Sequence, residues 1–179
     1  KSRWIRSILA VTIVIFLGLA AIILYSVYTR YITAAETTIR ARISPSVDHY
    51  FSYYNTNDDD LFALGANDFV ESFAYKNKIE LWVLDRNGKI VVTSNAFGAS
   101  STIDFQDYYD ALLSYNCTAL SRSKTASGEN VLALSYILRD ADGENYGALR
   151  YLVSLDEAYR QFFYISLLVI LFFGIIIMI

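Results

Sequence analysis

The chain has 179 residues, 55% of them hydrophobic and 18% charged, with a formal net charge of −3. All 18 acidic residues but only 11 of the 15 basic ones lie between Tyr31 and Arg160. That acidic surplus argues against nucleic acid as a partner and against docking of this segment onto anionic lipid headgroups. A single cysteine, Cys117, excludes an intrachain disulfide, and a single histidine, His49, excludes Cys/His zinc clusters.

The first element is an apolar run. Ile8 to Val27 carries no charge over 20 positions, the length a helix needs to cross a bilayer core. A secretory signal would be shorter and followed by a small-residue cleavage site. Here Tyr25, Tyr28, Arg30 and Tyr31 follow, so the run reads as an uncleaved anchor. Lys1, Arg3 and Arg6 precede it without an acid, which places the N-terminus in the cytoplasm. Trp4 and Tyr28 stand where interfacial aromatics stand. Gly18 lacks a second glycine at the spacing of a helix-dimerisation motif, as does Gly174.

Helical spacing continues beyond the run. Ile32, Ala35, Ile39, Ile43, Val47, Tyr50 and Tyr54 recur at steps of three and four, and Pro45 is expected to kink or interrupt this helix. After the polar break from Asn55 to Asp60, a second helix is expected through Phe69, Phe73 and Ala74. The period changes at Lys78. Ile79 to Asp85 and Lys89 to Ser94 read as a hairpin joined through Asn87-Gly88. Asp104 to Tyr115 reads as a short helix. Strands follow at Thr118 to Ser123, Asn130 to Leu138 and Tyr146 to Leu155, with turns at Ser127-Gly128 and Asp142-Gly143. Asp156 opens a final helix whose uncharged stretch, Phe162 to Ile179, reads as a second membrane span that the chain leaves unfinished. The expected fold is α+β: five antiparallel strands with helices on one face and a long N-terminal helix. The expected organisation is a cytoplasmic flank at 1–7, a transmembrane helix at 8–28, an extracytoplasmic domain at 29–160 and a truncated transmembrane helix at 161–179.

Four segments carry a family resemblance. Glu80 to Ser94 (ELWVLDRNGKIVVTS) resembles the first hairpin of extracytoplasmic PAS-like domains of the Cache (PDC) type. Asp104 to Leu113 (DFQDYYDALL) is similar to the short helix that follows in that family. Ser127 to Ser135 resembles its central strand, and Asp140 to Leu155 its last turn and strand. The order between two apolar helices resembles the sensor half of a bacterial two-component histidine kinase. The resemblance implies a homodimer in the cell membrane and an unknown small-molecule or physicochemical stimulus. It also implies a cytoplasmic kinase reaching a response regulator. ATP and Mg²⁺ would belong to that kinase, whose motifs are absent from these residues. The parent protein is therefore expected to continue past Ile179. The same sensor could instead serve a chemoreceptor or a cyclic-dinucleotide enzyme, or the chain could be a small two-span binding or structural protein with no enzyme.

The resemblance also points to a pocket. Tyr108 and Tyr109 lie where a Cache pocket is lined, and Tyr136, Arg150 and Arg122 lie on strands that could reach it. An arginine on a strand can clamp a carboxylate through two parallel hydrogen bonds. The plainer alternative makes the tyrosines core residues and Arg150 a solvated one. One departure stands out: Cache domains that bind amino-acid carboxylates often place an arginine just before the aromatic pair of the short helix, and here that position is Asp107. This argues against carboxylate binding by that route. Asn57 to Asp60 and Asp140 to Glu144 are acid clusters of a kind that could bind Ca²⁺ or Mg²⁺, but Asp140-Ala-Asp-Gly lacks the alternate-ligand spacing of a calcium loop. They read as a helix start and a hairpin turn. Ser121 to Lys124 matches the serine–lysine spacing of penicillin-recognising enzymes without that class's partner motifs. Asn116-Cys117-Thr118 fits a glycosylation acceptor, and no catalytic or metal site is expected.

Overall fold

A computed structural model of the chain describes residues 2–43, 45–54, 59–94, 105–125 and 128–178. The chain divides into two units, Lys1–Ala34 with Asp156–Ile179, and Ala35–Leu155.

The first unit contains most of helix α1 (Ser2–Arg40) and helix α5 (Asp156–Met178). Among the described residues, one helical segment, Ala10–Arg40, is long and apolar enough to cross a membrane. Ile8, Val14, Leu17 and Ile22 of α1 and Leu168 and Ile170 of α5 are all more than half exposed. Hydroxyls at Thr12 and Ser166 bond back to their own helix. Thr12 donates to the Ile8 carbonyl at 2.9 Å and Ser166 to that of Phe162 at 2.7 Å. The two helices meet through aromatic and amide groups. The Tyr31 hydroxyl donates to Gln161 Oε1 at 2.6 Å, and the Tyr28 ring packs edge-on to Phe162 at 5.9 Å.

The second unit is built on one antiparallel sheet. Its strands are β1 (Glu80–Asp85), β2 (Ile90–Thr93), β3 (Thr118–Lys124), β4 (Asn130–Arg139) and β5 (Asn145–Ser154). They lie in the order β2-β1-β5-β4-β3, so the last strand is central and pairs with β1 and β4. The turn between β1 and β2 explains the register of that hairpin. The Asp85 carboxylate accepts from the Asn87 and Lys89 amides at 2.8 and 2.9 Å, and Gly88 takes a φ of +79° that a side chain disfavours. Asp140 repeats the device, accepting from the Asp142 and Glu144 amides at 3.0 and 2.9 Å before Gly143 at φ +84°. The acidic run at Asp140 to Glu144 is thus a hairpin turn. Of the other acidic run, residues 57 and 58 lie outside the described residues, and Asp59 opens helix α3 (Asp59–Ser72).

Pro45 interrupts the N-terminal helix. α1 ends at Arg40, and helix α2 (Pro45–Ser52) starts on the proline, which lacks only an N–H that a first turn leaves unbonded anyway. The break rotates the buried face. Ile39, Val47 and Phe51 are buried, while Tyr50 and Tyr54 are half-buried.

Helices cover both faces of the sheet, not one. Phe73, just past α3, packs its ring near Tyr151 of β5 at 6.2 Å, and the Phe62 ring of α3 lies against Gly147 of the same strand face. Helix α4 (Gln106–Leu113) instead holds the neighbouring residue, Arg150. Successive strand residues point to opposite faces, so α3 and α4 lie on opposite sides. β4 and β5 are buried almost throughout, and a strand covered on both faces carries no alternation to betray the second layer.

Candidate functional site

The site is an ion pair buried between α4 and the sheet. β5 reads Ala148-Leu149-Arg150-Tyr151-Leu152, and an arginine in the middle of such a strand must find a partner or stay unfolded. Its partner is Asp107, in the first turn of α4, where the helix N-terminus favours a carboxylate. Arg150 Nε donates to Asp107 Oδ2 at 2.8 Å and Nη2 donates to Oδ1 at 2.6 Å. Both side chains are 0% exposed. Ser135 Oγ of β4 donates to Oδ2 at 2.7 Å, and Ser121 Oγ of β3 lies 3.3 Å from Oδ1. Three strands therefore converge on one carboxylate. The guanidinium carbon sits 4.2 Å from the Phe105 ring centroid and 5.4 Å from that of Trp82. Trp82 Nε1 in turn donates to Glu80 Oε1 at 2.5 Å.

This geometry explains the departure at Asp107. A strand arginine clamps a carboxylate in the two-toothed manner expected, but the carboxylate comes from the protein's own short helix. Any anion reaching Arg150 must displace Asp107 or recruit it.

The five residues singled out from sequence do not share one face. Arg150 lies on the α4 face. Tyr108 is buried in the cluster of Leu84, Ala111, Ile137 and Ala148. Burial raises its hydroxyl above the ordinary tyrosine value, against a hydrogen bond with Asn145 that lowers it. Tyr109 is 61% exposed on the outside of α4. Tyr136 and Arg122 lie on the opposite face, one step out of phase with Ser135 and Ser121. Tyr136 donates to Asp48 of α2, and burial, followed by that carboxylate, pushes its hydroxyl well up. Arg122 is exposed on the edge strand. Beside Asp48 opens a cleft of about 420 Å³ that His49, Arg139, Asp140 and Tyr146 help to line.

Sequence reasoning missed the pairing of Asp107 with Arg150 and the roles of Ser121 and Ser135. One signal was present: a lone arginine in an apolar strand and a lone acid beside the aromatic pair of a short helix, each costly to bury without the other.

The fold has a known counterpart. The chain is similar to the sensor domain of the Vibrio cholerae histidine kinase DctB, with a TM-score of 0.52 and 15% identity over 82% of this chain and 60% of that one. It has the fold of a Cache-like sensor domain. Two looser likenesses are the ligand-binding domain of the Pseudomonas aeruginosa amino acid chemoreceptor PctC and the V. cholerae LuxQ periplasmic domain. Their TM-scores are 0.41 and 0.32, at 15% and 14% identity over 80% and 77% of this chain and 64% and 63% of theirs. No family model and no curated protein matches the sequence. The chain spans about 60% of the length of the DctB sensor domain it resembles.

Proposed function

We propose that this chain is the sensing and membrane-anchoring part of a bacterial receptor whose parent is a homodimeric sensor histidine kinase. In this reading residues 8–28 and the helix from 161 onward cross the membrane, and residues 29–160 form the extracytoplasmic sensor. The observation that carries it is the β2-β1-β5-β4-β3 sheet of a Cache-like sensor domain, set in sequence between two helices that each hold a long uncharged apolar run. Support for the anchors comes from α1, whose apolar window is 0% buried in protein. So much exposed hydrocarbon calls for lipid as its solvent.

The proposed stimulus acts by favouring one packing of the sheet's helices over another. A ligand shifts such an equilibrium only by its differential affinity for the two states. The chain is suited to pass that shift on, since β5 ends at Ser154 and α5 begins at Asp156. Kinase chemistry, with its ATP and Mg²⁺, and the response regulator belong to the proposed parent and not to these residues. Within the sensor, Arg150 and Tyr108 under α4 are proposed to respond to the stimulus, with Tyr109, Tyr136 and Arg122 outside that layer.

Cysteine labelling in intact cells tests the topology. In a Cys117→Ser background, Asn87→Cys in the β1–β2 turn should react with a membrane-impermeant maleimide, and Ser2→Cys should react only after lysis. The reverse pattern overturns the reading. In the parent receptor, cysteine pairs that lock α1 to α5 should freeze output. Normal signalling through every lock would overturn the proposal that the shift reaches the kinase as a movement of α5 relative to α1.

A further inference from the structure

We infer a second binding site, for a small organic carboxylate with an apolar body, in a cleft of about 230 Å³ between the α1–α2 turn and the end of α3. It lies on the face of the sheet opposite the Asp107–Arg150 pair, with Tyr151 of β5 at its floor.

Arg42 carries the inference. It sits in the turn forced by Pro45, and its guanidinium carbon lies 3.5 Å from the Tyr75 ring centroid. Stacking on one planar face leaves the edge of N–H donors to recognise a partner, and that edge matches a carboxylate. Among the described residues, Arg42 Nε is buried and has no hydrogen-bond partner. A buried donor left unpaired is costly, and an acceptor brought to it recovers that cost. Among the described residues the ion pairs of the domain pass Arg42 by: Asp107 is held by Arg150, Glu36 by Arg40, and Asp59 lies near Arg86.

The remaining walls select the ligand's body. Val47, Phe69, Phe73 and Tyr151 give the cleft an apolar lining. Burial pushes the Tyr151 hydroxyl far up, so this wall stays neutral at physiological pH. One cation over apolar walls suits a monocarboxylate with a hydrocarbon or aromatic body. A phosphate dianion would be left largely uncompensated. The cleft is smaller than the roughly 300–1,000 Å³ usual for drug-sized ligands, which limits the occupant to a compact acid.

Calorimetry and thermal shift on the full chain in detergent micelles test this, with benzoate as probe, benzamide as its uncharged isostere and inorganic phosphate as the bare anion. The expected result is saturable benzoate binding, at least tenfold weaker for benzamide and for phosphate. Arg42→Gln should lose at least tenfold in benzoate affinity, and Arg42→Lys should recover only part of it, because an ammonium lacks the planar fork. Equal binding of benzoate and benzamide to the unaltered chain overturns the proposal whether or not the variants fold. So does phosphate binding as tightly as benzoate, an absence of benzoate binding, or benzoate affinity unchanged in a folded Arg42→Gln chain.

Discussion

On β5, Arg150 and Tyr151 are neighbours in sequence and face opposite sides of one sheet, and the two sides are buried by different chemistry. Under α4 a charged pair is sealed in, held by two serine hydroxyls and flanked by Phe105 and Trp82. Under α2 and α3 the contact is aromatic: Phe51 lies 5.0 Å from Phe69 and 5.8 Å from Phe62, ring to ring, with Tyr50 against Phe69 at 5.2 Å. Aromatic packing is forgiving in register and strong in total. A dry ion pair fixes one register, and is strongly destabilising when half of it is removed. The α4 face therefore specifies where its helix sits, and the opposite face supplies bulk cohesion.

The largest expected effect breaks the α4 face. Asp107→Ala should leave Arg150 buried and unpaired, destabilising the domain by about 3–5 kcal/mol. The double replacement Asp107→Leu with Arg150→Met should return most of that loss, since a packed apolar pair of similar volume is often neutral or better. Chemical denaturation of the chain in micelles measures both. A loss below about 1 kcal/mol for Asp107→Ala, typical of exposed pairs, would mean that water reaches the pair and that α4 is not fixed by it.

The aromatic face should yield to crowding instead. A Cβ at Gly147 would lie 2.6 Å from Phe62 Cζ and 3.0 Å from the Leu84 carbonyl oxygen. Gly147→Ala should cost about 1–3 kcal/mol, the usual range for overpacking. Adding Phe62→Leu should recover only part of this, because the ring can retreat and the Leu84 backbone cannot. Full recovery would show that the sheet itself gives way.

The two faces were not equally legible in the sequence. Hairpin turns at Asn87-Gly88 and Asp142-Gly143 were readable because glycine and a short acid are chemically required there. The five strands and the short helix fell within a residue or two of their observed bounds. Phe51 was harder to place, because Pro45 resets the helical phase and moves burial from Tyr50 and Tyr54 to Phe51. The second helical layer left no trace in β4 and β5, which are apolar on both faces. The ion pair was legible only as two separate anomalies. Joining Asp107 to Arg150 requires the strand order, and sequence separation says nothing about which of five strands will be central. The Arg42 cleft was invisible for a similar reason: its walls come from α2, the end of α3 and β5.

Alkaline pH should tell chiefly on the α2–α3 face, which holds four raised tyrosines among the described residues against Tyr108 under α4. Tyr50 and Tyr146, both on the α2–α3 side, are pushed up to about 12, each by burial first, with Tyr54 reinforcing it at Tyr50 and Asp48 and Asp140 at Tyr146. Tyr136 and Tyr151 are shifted in the same direction. A tyrosine whose folded pKa is raised stabilises the fold fully below its unfolded value, near 10. That contribution is lost as pH rises from there through the folded value. Thermal stability should therefore be insensitive to these groups up to about pH 9 and fall between about pH 10 and 12. Asp48→Asn removes a charge that raises both Tyr136 and Tyr146, so it should flatten that fall. An unchanged alkaline slope in the variant would show that Asp48 does not govern these hydroxyls.

The smallest expected effect lies where α4 hands the chain to β3. Cys117 has a φ of +56°, the left-handed conformation that glycine adopts freely and other residues adopt at a cost of about 1–2 kcal/mol. Its carbonyl is held by the Ile137 amide at 2.8 Å and its own amide donates to Ser114 at 3.1 Å, so the backbone cannot relax without losing the start of the β3–β4 ladder. The side chain packs against the Tyr108 cluster. Cys117→Gly relieves the strain, but it also loosens the unfolded chain by about 0.4–1 kcal/mol and removes the thiol's packing. The terms nearly cancel, and its stability should stay within about 0.5 kcal/mol of the parent. Cys117→Val keeps the apolar bulk and puts a β-branch in the left-handed region, so it should lose about 1–2 kcal/mol. If valine were tolerated as well as glycine, the turn would be free to move, and α4 would be held in place by the Asp107–Arg150 pair and the buried Tyr108 rather than by this turn.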